Sequence, residues 1–336
     1  MIPTTINSDL GHAETEALIL RIEKDLYREY ENAAAQMQSK FNKWLKKFNA
    51  EDTEQREKWQ SGEITKEEYM KWRARHILIG SHWSEMRDVL ARDAVNADII
   101  AMQIVKGYMP EAYAIGMNYS TYLIESGASI DTSFTLYDRA TVERLWRDNP
   151  KLLPDPAPNS KTARKLKENK DLIWNKQHIQ SAVTQGILQG EPLSKVASRL
   201  RQVTDMDERA AKRNAGTMLT SAQNGGRMDG LRRAESMGIE LKKIWLATLD
   251  SHTRDSHVQL DGQEKLVDEP FESELGKIMF PGDPDAENLA NVYGCRCTLI
   301  TQIKGFERDV SDLGLRHDDN MSEMTYDEWK RAHRKE

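Results

Sequence analysis

From Ala13 to Phe48 apolar side chains return every three or four residues: Leu18, Ile22, Leu26, Tyr30, Ala33, Met37, Phe41, Trp44 and Phe48. That spacing follows the 3.6-residue turn and predicts one amphipathic helix, with Glu, Lys, Arg and Gln on its other face. A polar stretch ending at Gly62 interrupts the pattern. Thr65 and Glu68 then form a capping box, with Ile64 and Tyr69 placed for a hydrophobic staple. A second long helix is therefore expected from Lys66, carrying Trp72, His76, Trp83 and Met86 inward. More helix is expected over 94–105, and Pro110 is placed to open another that Gly127 closes. Ser133 to Tyr137 alternates and predicts a short strand, and Asp138 reads as the N-cap of a short helix ending near Asn149.

Pro150, Pro154, Pro156 and Pro158 follow within nine residues. Such density favours an extended connector, so residues 1–149 read as a helical domain, 150–160 as a linker and 161–306 as a second domain. Its first helix carries Leu172, Ile173, Ile179, Val183, Ile187 and Leu188 on one face and ends at Gly190. Pro192 opens a short helix to about Val203. Asp205 or Asp207 caps a long one that Gly238 terminates. The period then changes: Leu241, Ile244 and Leu246 predict a strand, with further strands near 265–267 and 298–302. The fold class is mostly α with a small α+β C-terminal domain: a long-helix N-terminal region, then helices plus a small sheet. Residues 307–336 read as a tail, with a loop over 308–320 and a last helix from Tyr326 to His333 behind the Thr325–Glu328 capping box.

Charge narrows the function. Of 336 residues 30% are charged, and the net charge is −6. A protein that coats DNA should be basic overall. A local basic face remains open on the helices between Lys161 and Lys243, where Arg209, Arg213, Arg232 and Arg233 are candidates for sequence-independent contact with double-stranded DNA. The plainer reading is a solvated face, since Glu168, Asp207, Glu208 and Glu235 are interspersed. Met1-Ile2-Pro3-Thr4-Thr5 predicts no secretory leader, and no apolar run is long enough to span a bilayer. The aromatic positions Trp72, Trp83, Tyr108, Tyr113, Tyr119 and Tyr122 read as core or as a docking face. Gly225-Gly226, inside a helical pattern, reads as a close helix contact or a kink.

The densest chemistry lies between Trp245 and Cys297. Both cysteines sit here as Cys295-Arg296-Cys297, with His252, His257, Asp250, Asp255 and Asp261 nearby. A Cys-x-Cys pair is a strained disulfide, so free thiols in a reducing compartment are expected. Three readings are open. Cys295, Cys297 and His257 could ligate a structural zinc, with Asp250, His252 or Asp255 as the fourth ligand. The same groups could serve a metal-dependent hydrolase or nuclease. Or Asp250, Thr253 and Arg254 build a turn, the carboxylate takes backbone N–H bonds, and Arg254 or Arg296 clamps a carboxylate. Ser251 and Ser256 adjoin histidines, but sequence neighbours on a loop do not make a triad.

The ordered set Trp245, Ala247, Asp250, Thr253, Arg254, His257, Leu260, Gly262, Pro281, Gly282, Cys295, Arg296 and Cys297 resembles the Mu F-like domain of phage head morphogenesis (minor capsid) proteins. Relatives often carry a His three residues before the Cys-x-Cys, where this chain has Val292. The resemblance implies a structural motif made of Trp245, Asp250, Thr253, Arg254, His257, Gly262, Cys295, Arg296 and Cys297, and no catalytic residue. It implies a virion protein of the head near the portal vertex, assembled in the host cytoplasm without a membrane. Its expected partners are the portal protein and the major capsid or scaffold proteins, and its expected role is in head assembly, DNA packaging or genome ejection.

Overall fold

The computed structural model describes residues 5–78, 81–149, 161–188, 193–303, 316–317 and 319–334. These are mostly helical, with a few short antiparallel strands. The long helices are α1 (Leu10–Gln60), α2 (Lys66–Leu78), α3 (Ser81–Ala128), α5 (Lys161–Leu188) and α6 (Leu193–Ser236), with the short α4 (Arg139–Asp148) between α3 and α5. The stripe predicted for the first helix is its buried face: Leu18, Ile22, Leu26 and Phe41 are wholly inaccessible. The Thr65–Glu68 box forms, with Thr65 N donating to Glu68 at 2.7 Å and Glu68 N donating back to the Thr65 hydroxyl at 3.2 Å. Asp138 caps α4 by accepting from Thr141 N at 2.7 Å.

Three expectations are corrected. Pro110 opens nothing and lies inside α3. A proline there forfeits one hydrogen bond and crowds the preceding turn, at roughly 3 kcal/mol. Burial of Met109, Ala112 and Tyr113 around it supplies the packing that holds the helix together. The short helix to Val203 and the capped one after it are likewise one continuous α6, with Leu200, Val203 and Ala215 all buried along it. Burial overrides the capping tendency of Asp205 and Asp207. Ser133–Tyr137 is not a strand. The strand is β1 (Ile130–Asp131), and the backbone after it pairs elsewhere. Tyr137 exchanges both of its backbone bonds with the Asn118 side chain, at 2.8 Å each, and Leu136 N donates to the His333 carbonyl. The proline-rich stretch 150–160 lies outside the described residues, as does most of the loop read at 308–320.

Packing groups the chain into two units, one of Met1–Glu23, Val105–Pro156 and Lys212–Glu336, the other of Lys24–Ile104 and Ala157–Ala211. Each draws residues from both sides of the proline-rich stretch. The second unit is helical throughout. Its core joins Met37, Phe41, Leu45 and Phe48 of α1 with Trp83, Leu90 and Ala94 of α3, Ile179 and Val183 of α5, and Leu200 and Val203 of α6. Ring stacking extends that core, Trp44 lying 5.8 Å from Phe41 and 5.5 Å from Phe48. Trp83 is therefore core, as the first of its two readings had it.

The helical unit also holds three carboxylates that influence one another, Asp98 of α3, Asp171 of α5 and Asp207 of α6. Burial and then the charges of Asp98 and Asp171 push Asp207 up to about 8. Burial, partly offset by a 2.7 Å hydrogen bond from Tyr30, pushes Asp98 up to about 6. An acid whose folded value is raised adds stability below its unfolded value and loses it as pH rises through the folded one. The helical unit should therefore weaken from about pH 4 to beyond pH 8. Asp207→Asn is expected to melt with the parent below about pH 3.5 and above it at pH 8.5, by on the order of 2 kcal/mol once solvent screening is allowed for. Coincident melting curves at pH 8.5 would exclude the cluster as a source of repulsion.

The first unit carries the sheet. β2 (Leu241–Leu246) runs between β3 (Glu264–Leu266) and β6 (Thr298–Ile303), antiparallel to both, with Leu246 opposite Thr298 and Ile244 opposite both Ile300 and Glu264. The three strands fall where the alternation placed them. A hairpin of β4 (Phe271–Ser273) and β5 (Gly276–Ile278) follows β3, and β7 (Arg316–His317) pairs with β1. Met228, Leu231 and Ala234 of α6 pack with Leu241, Trp245, Leu299, Phe271 and Ile278 in one core. Period two puts Lys243 on the Leu241–Trp245 face. It is wholly buried, gives its ammonium to the Met279 carbonyl at 2.9 Å, and is pushed down to about 8 by that burial. The short helices α7 (Asp255–Leu260), α8 (Asp319–Glu323) and α9 (Tyr326–Ala332) complete the unit.

Candidate functional site

The end of β2, helix α7 and the chain entering β6 meet at the Asp-His-Cys corner. Trp245 is fully buried and meets the edges of His257 and Phe271, with ring centroids 5.5 and 5.4 Å away. The turn after it is built as the plainest of the three readings expects. Asp250 accepts from His252 N at 2.9 Å, Thr253 N donates to the Asp250 carbonyl at 3.0 Å, and the Thr253 hydroxyl donates to the Thr248 carbonyl. Arg296 closes on the same carboxylate with two bonds of 2.7 Å. That pair and the His252 N–H hold Asp250 well below the usual carboxylate range. Arg254 reaches across to donate to the Tyr293 carbonyl.

Helix α7 then turns His257 inward and leaves His252 exposed. Leu260 is fully buried behind it. Gly262 takes a left-handed φ of 72°, which lets its N–H return to the Trp245 carbonyl at 2.9 Å. Asp261 accepts from Ala247 N at 2.7 Å. Gly282 is needed on two counts, a φ of 84° and an approach so close that a Cβ would stand 2.8 Å from Ser221 N. Only glycine meets both demands.

His257, Cys295 and Cys297 come together with their ligand atoms within 4.8 Å of one another, and each residue is 2–3% exposed. His257 Nε2 lies 3.0 Å from the Asn291 carbonyl, which can only accept, so Nε2 carries a proton. Nδ1 therefore faces the Cys297 sulfur, at 3.4 Å. The hydrogen bond from the Cys295 thiol, helped by His257, pushes Cys297 down, while Cys295 is pushed up because it must keep the proton it donates. The donor set fits a soft divalent metal. Two sulfurs and an imidazole oriented through its far nitrogen are the pattern of an outer-shell-supported ligand group. Asp250 stands outside the group, committed to Arg296, and His252 and Asp255 are exposed on the surface. Val292, buried at 5%, fills its position with an apolar side chain.

Helix α6 holds the Cys-Arg-Cys segment in place. Thr217 accepts from Gly294 N at 2.9 Å, Thr220 donates to the Cys295 carbonyl at 3.0 Å, and Asn224 donates to the Cys297 carbonyl at 3.2 Å while accepting from Leu299 N at 3.0 Å. These three lie at helical spacing on one face. Their polar periodicity between Ala215, Leu219 and Met228 was the available signal, and the reading of the sequence passed over it. It also passed over the bidentate pair of Arg227 with Asp9, at 2.7 and 2.6 Å, both fully or almost fully buried. Of the four arginines considered for DNA, Arg209 donates to the Asp205 carbonyl, Arg232 pairs with Asp229 and Asp268, and Arg233 lies 4.8 Å over the Phe134 ring, while Arg213 is exposed.

Comparison with known proteins agrees with this geometry. Residues 177–300 match the family model described as Phage Mu protein F like protein. The chain is 28% identical over 233 residues to an NAD(+)–arginine ADP-ribosyltransferase of Enterococcus faecalis, which covers 67% of this chain and 44% of that protein. It is 24% identical over 291 residues to the minor head protein GP7 of Bacillus phage SPP1, covering 86% of this chain and 84% of that one. The chain thus spans less than half of the first relative and most of the second. No solved structure matches. The Trp-Asp-His-Cys motif and its place in the fold fit these likenesses: residues 177–300 are similar to the Phage Mu protein F like family, and most of the chain is similar to a phage minor head protein.

Proposed function

We propose that this chain is a structural component of the phage head, seated with the portal at the head interior, and that it acts in assembly, packaging or ejection rather than by turning over a substrate. The observation that carries this reading is how the motif's polar groups are used. Asp250 binds Arg296, Thr253 the Thr248 carbonyl, Arg254 the Tyr293 carbonyl and His257 the Asn291 carbonyl, so each fixes one loop against another. The His257 bond is buried while the Asp250–Arg296 and Arg254–Tyr293 bonds lie at the surface, and side chains committed to one another in this way hold the corner in one arrangement. The likeness to the SPP1 minor head protein, over most of both chains, supports the same reading. The transferase activity in the name of the Enterococcus protein stays with that protein, of which this chain spans 44%.

A structural zinc on His257, Cys295 and Cys297 is part of the proposal, as is sequence-independent DNA contact through exposed arginines such as Arg213. Zinc there would tie α7 to the start of β6 and add to folding stability. The direct test is the position and copy number of the protein in purified particles. A defined few copies at one vertex are expected, and absence from the particle would end the head assignment. Metal content and melting of Cys297→Ser test the corner. Loss of bound zinc together with a lower melting temperature is expected, at about 2 kcal/mol or more for an unpaired buried partner. Cleavage of DNA with Mg or Mn that disappears in His257→Ala would instead favour a nuclease.

A further inference from the structure

The last helix is fastened to the first unit through one buried carboxylate. Glu125 of α3 is wholly inaccessible. One of its oxygens accepts from Thr132 N at 2.9 Å and from the Thr132 hydroxyl at 2.5 Å. The other accepts from Trp329 Nε1 at 2.6 Å and lies 3.1 Å from His333 Nε2. The remaining nitrogen of His333, Nδ1, lies 2.9 Å from the Trp329 carbonyl. Both nitrogens thus face oxygens that have no proton to give, and only a doubly protonated ring satisfies both. The ring stacks on Trp329 at 4.4 Å, and Trp329, also fully buried, packs on Tyr122, Phe134 and Tyr326.

We propose that α9 is held by a proton-operated clasp, in which doubly protonated His333 bridges the Trp329 carbonyl to the Glu125 carboxylate, and that loss of that proton loosens the helix from its aromatic seat on α3. The charges around the ring suit this role. Glu125 on α3 and Asp131 on β1 are the acidic groups acting on it. On its own segment Lys330 is engaged by Glu14 and Asp327, and Arg331 donates to the Asp327 carbonyl. From α6, Arg233 lies over Phe134. Glu125, Asp131 and His333 also place ligand atoms within 4.8 Å of one another. A cation is the weaker reading, because the Glu125 oxygens already take four donors that it would have to displace.

The direction with pH follows. Burial alone would lower the His333 value, but the Glu125 and Trp329 bonds and the Glu125 and Asp131 charges raise it above the ordinary 6.5. Its contribution is full below 6.5 and is lost as pH rises through the raised value. Burial would raise Glu125, but the bonds from His333, Thr132 and Trp329 lower it below 4.5, so its contribution is lost only in stronger acid. The clasp is closed between these limits and opens on the alkaline side.

The test uses the full chain, with hydrogen exchange of residues 325–333 from pH 5 to 9 and nitrogen-15 shifts of the His333 ring. Expected are two protonated ring nitrogens at pH 6 and protection of α9 that falls as pH climbs past neutral. His333→Gln should lower that protection about tenfold at pH 6, as removal of a charged hydrogen bond does, and abolish its pH dependence. Asp131→Asn, a milder change at a half-buried position, should shift the transition to lower pH with the fold intact. A neutral ring at pH 6, or pH-independent protection in the parent, overturns the clasp. So does zinc or manganese that raises protection of α9 in the parent and not in Asp131→Asn, since it would make the cluster a metal site.

Discussion

Asp9→Ala is expected to lower stability by about 3–5 kcal/mol, the usual result of leaving a buried charge without its partner. Asp9 has two duties. It accepts from His12 N at 2.7 Å, which caps α1, and it takes both arms of Arg227. Arg227 also donates to the Leu299 carbonyl at 2.5 Å and lies 5.1 Å over the Tyr119 ring. With the carboxylate gone, a guanidinium that is 2% exposed keeps its desolvation cost and loses its counter-charge. Arg227→Met alone should cost a similar amount, and the double change Asp9→Ala with Arg227→Met clearly less than the sum, because the two groups act as one. Urea unfolding of the four proteins gives the coupling directly. Additive losses would mean that solvent or another group compensates each charge on its own.

Gly116→Ala is expected to be the worst tolerated Gly→Ala change among the described helical glycines. A Cβ at 116 would stand 1.9 Å from the Gln223 carbonyl oxygen, and one at 226 would stand 2.2 Å from the Tyr113 carbonyl oxygen. Both obstacles are backbone of a facing helix, so no side chain can swing aside. α3 and α6 must separate here, and Tyr113 to Asp229, joined at 2.6 Å, separates with them. Overpacking costs 1–3 kcal/mol where side chains can adjust, and about 3 kcal/mol or more is expected here. Gly225→Ala is the control, since nothing lies within 4 Å of its added carbon. It should gain about 0.5–1 kcal/mol from helix propensity alone. Thermal melts of the three variants separate contact from propensity, and equal loss at 225 and 226 would refute the close crossing.

These positions show what the order of residues could and could not disclose. The stripe of the first helix, the two capping boxes, the Asp138 cap and the three strands of the sheet follow from local rules, and the structure has them where the rules put them. The Asp250–Arg296 clamp was legible only in part, because the residues left Arg254 and Arg296 as equal candidates for a carboxylate clamp and Asp250 as a candidate metal ligand. Pro110 misled because its local cost is exceeded by the burial of its neighbours, which no short window reveals. The hairpin of β4 and β5 escaped because three-residue strands carry almost no periodicity. Asp9, Arg227 and Glu125 are ordinary charges in the chain. Their burial depends on partners about 200 residues away, and such pairings leave no mark on either neighbourhood.

The Arg227 bridge has a consequence for synthesis. It ties residue 9 to residues 227 and 299, and Glu125 is joined to Trp329. The helical unit has every residue it needs once position 211 has left the ribosome. The other unit must hold Asp9 without Arg227, and Glu125 without the Trp329 indole, while about two hundred intervening residues are made. Contacts of such long separation close slowly. Stalling synthesis between positions 211 and 299 is thus expected to leave the helical unit folded and the other exposed to proteases.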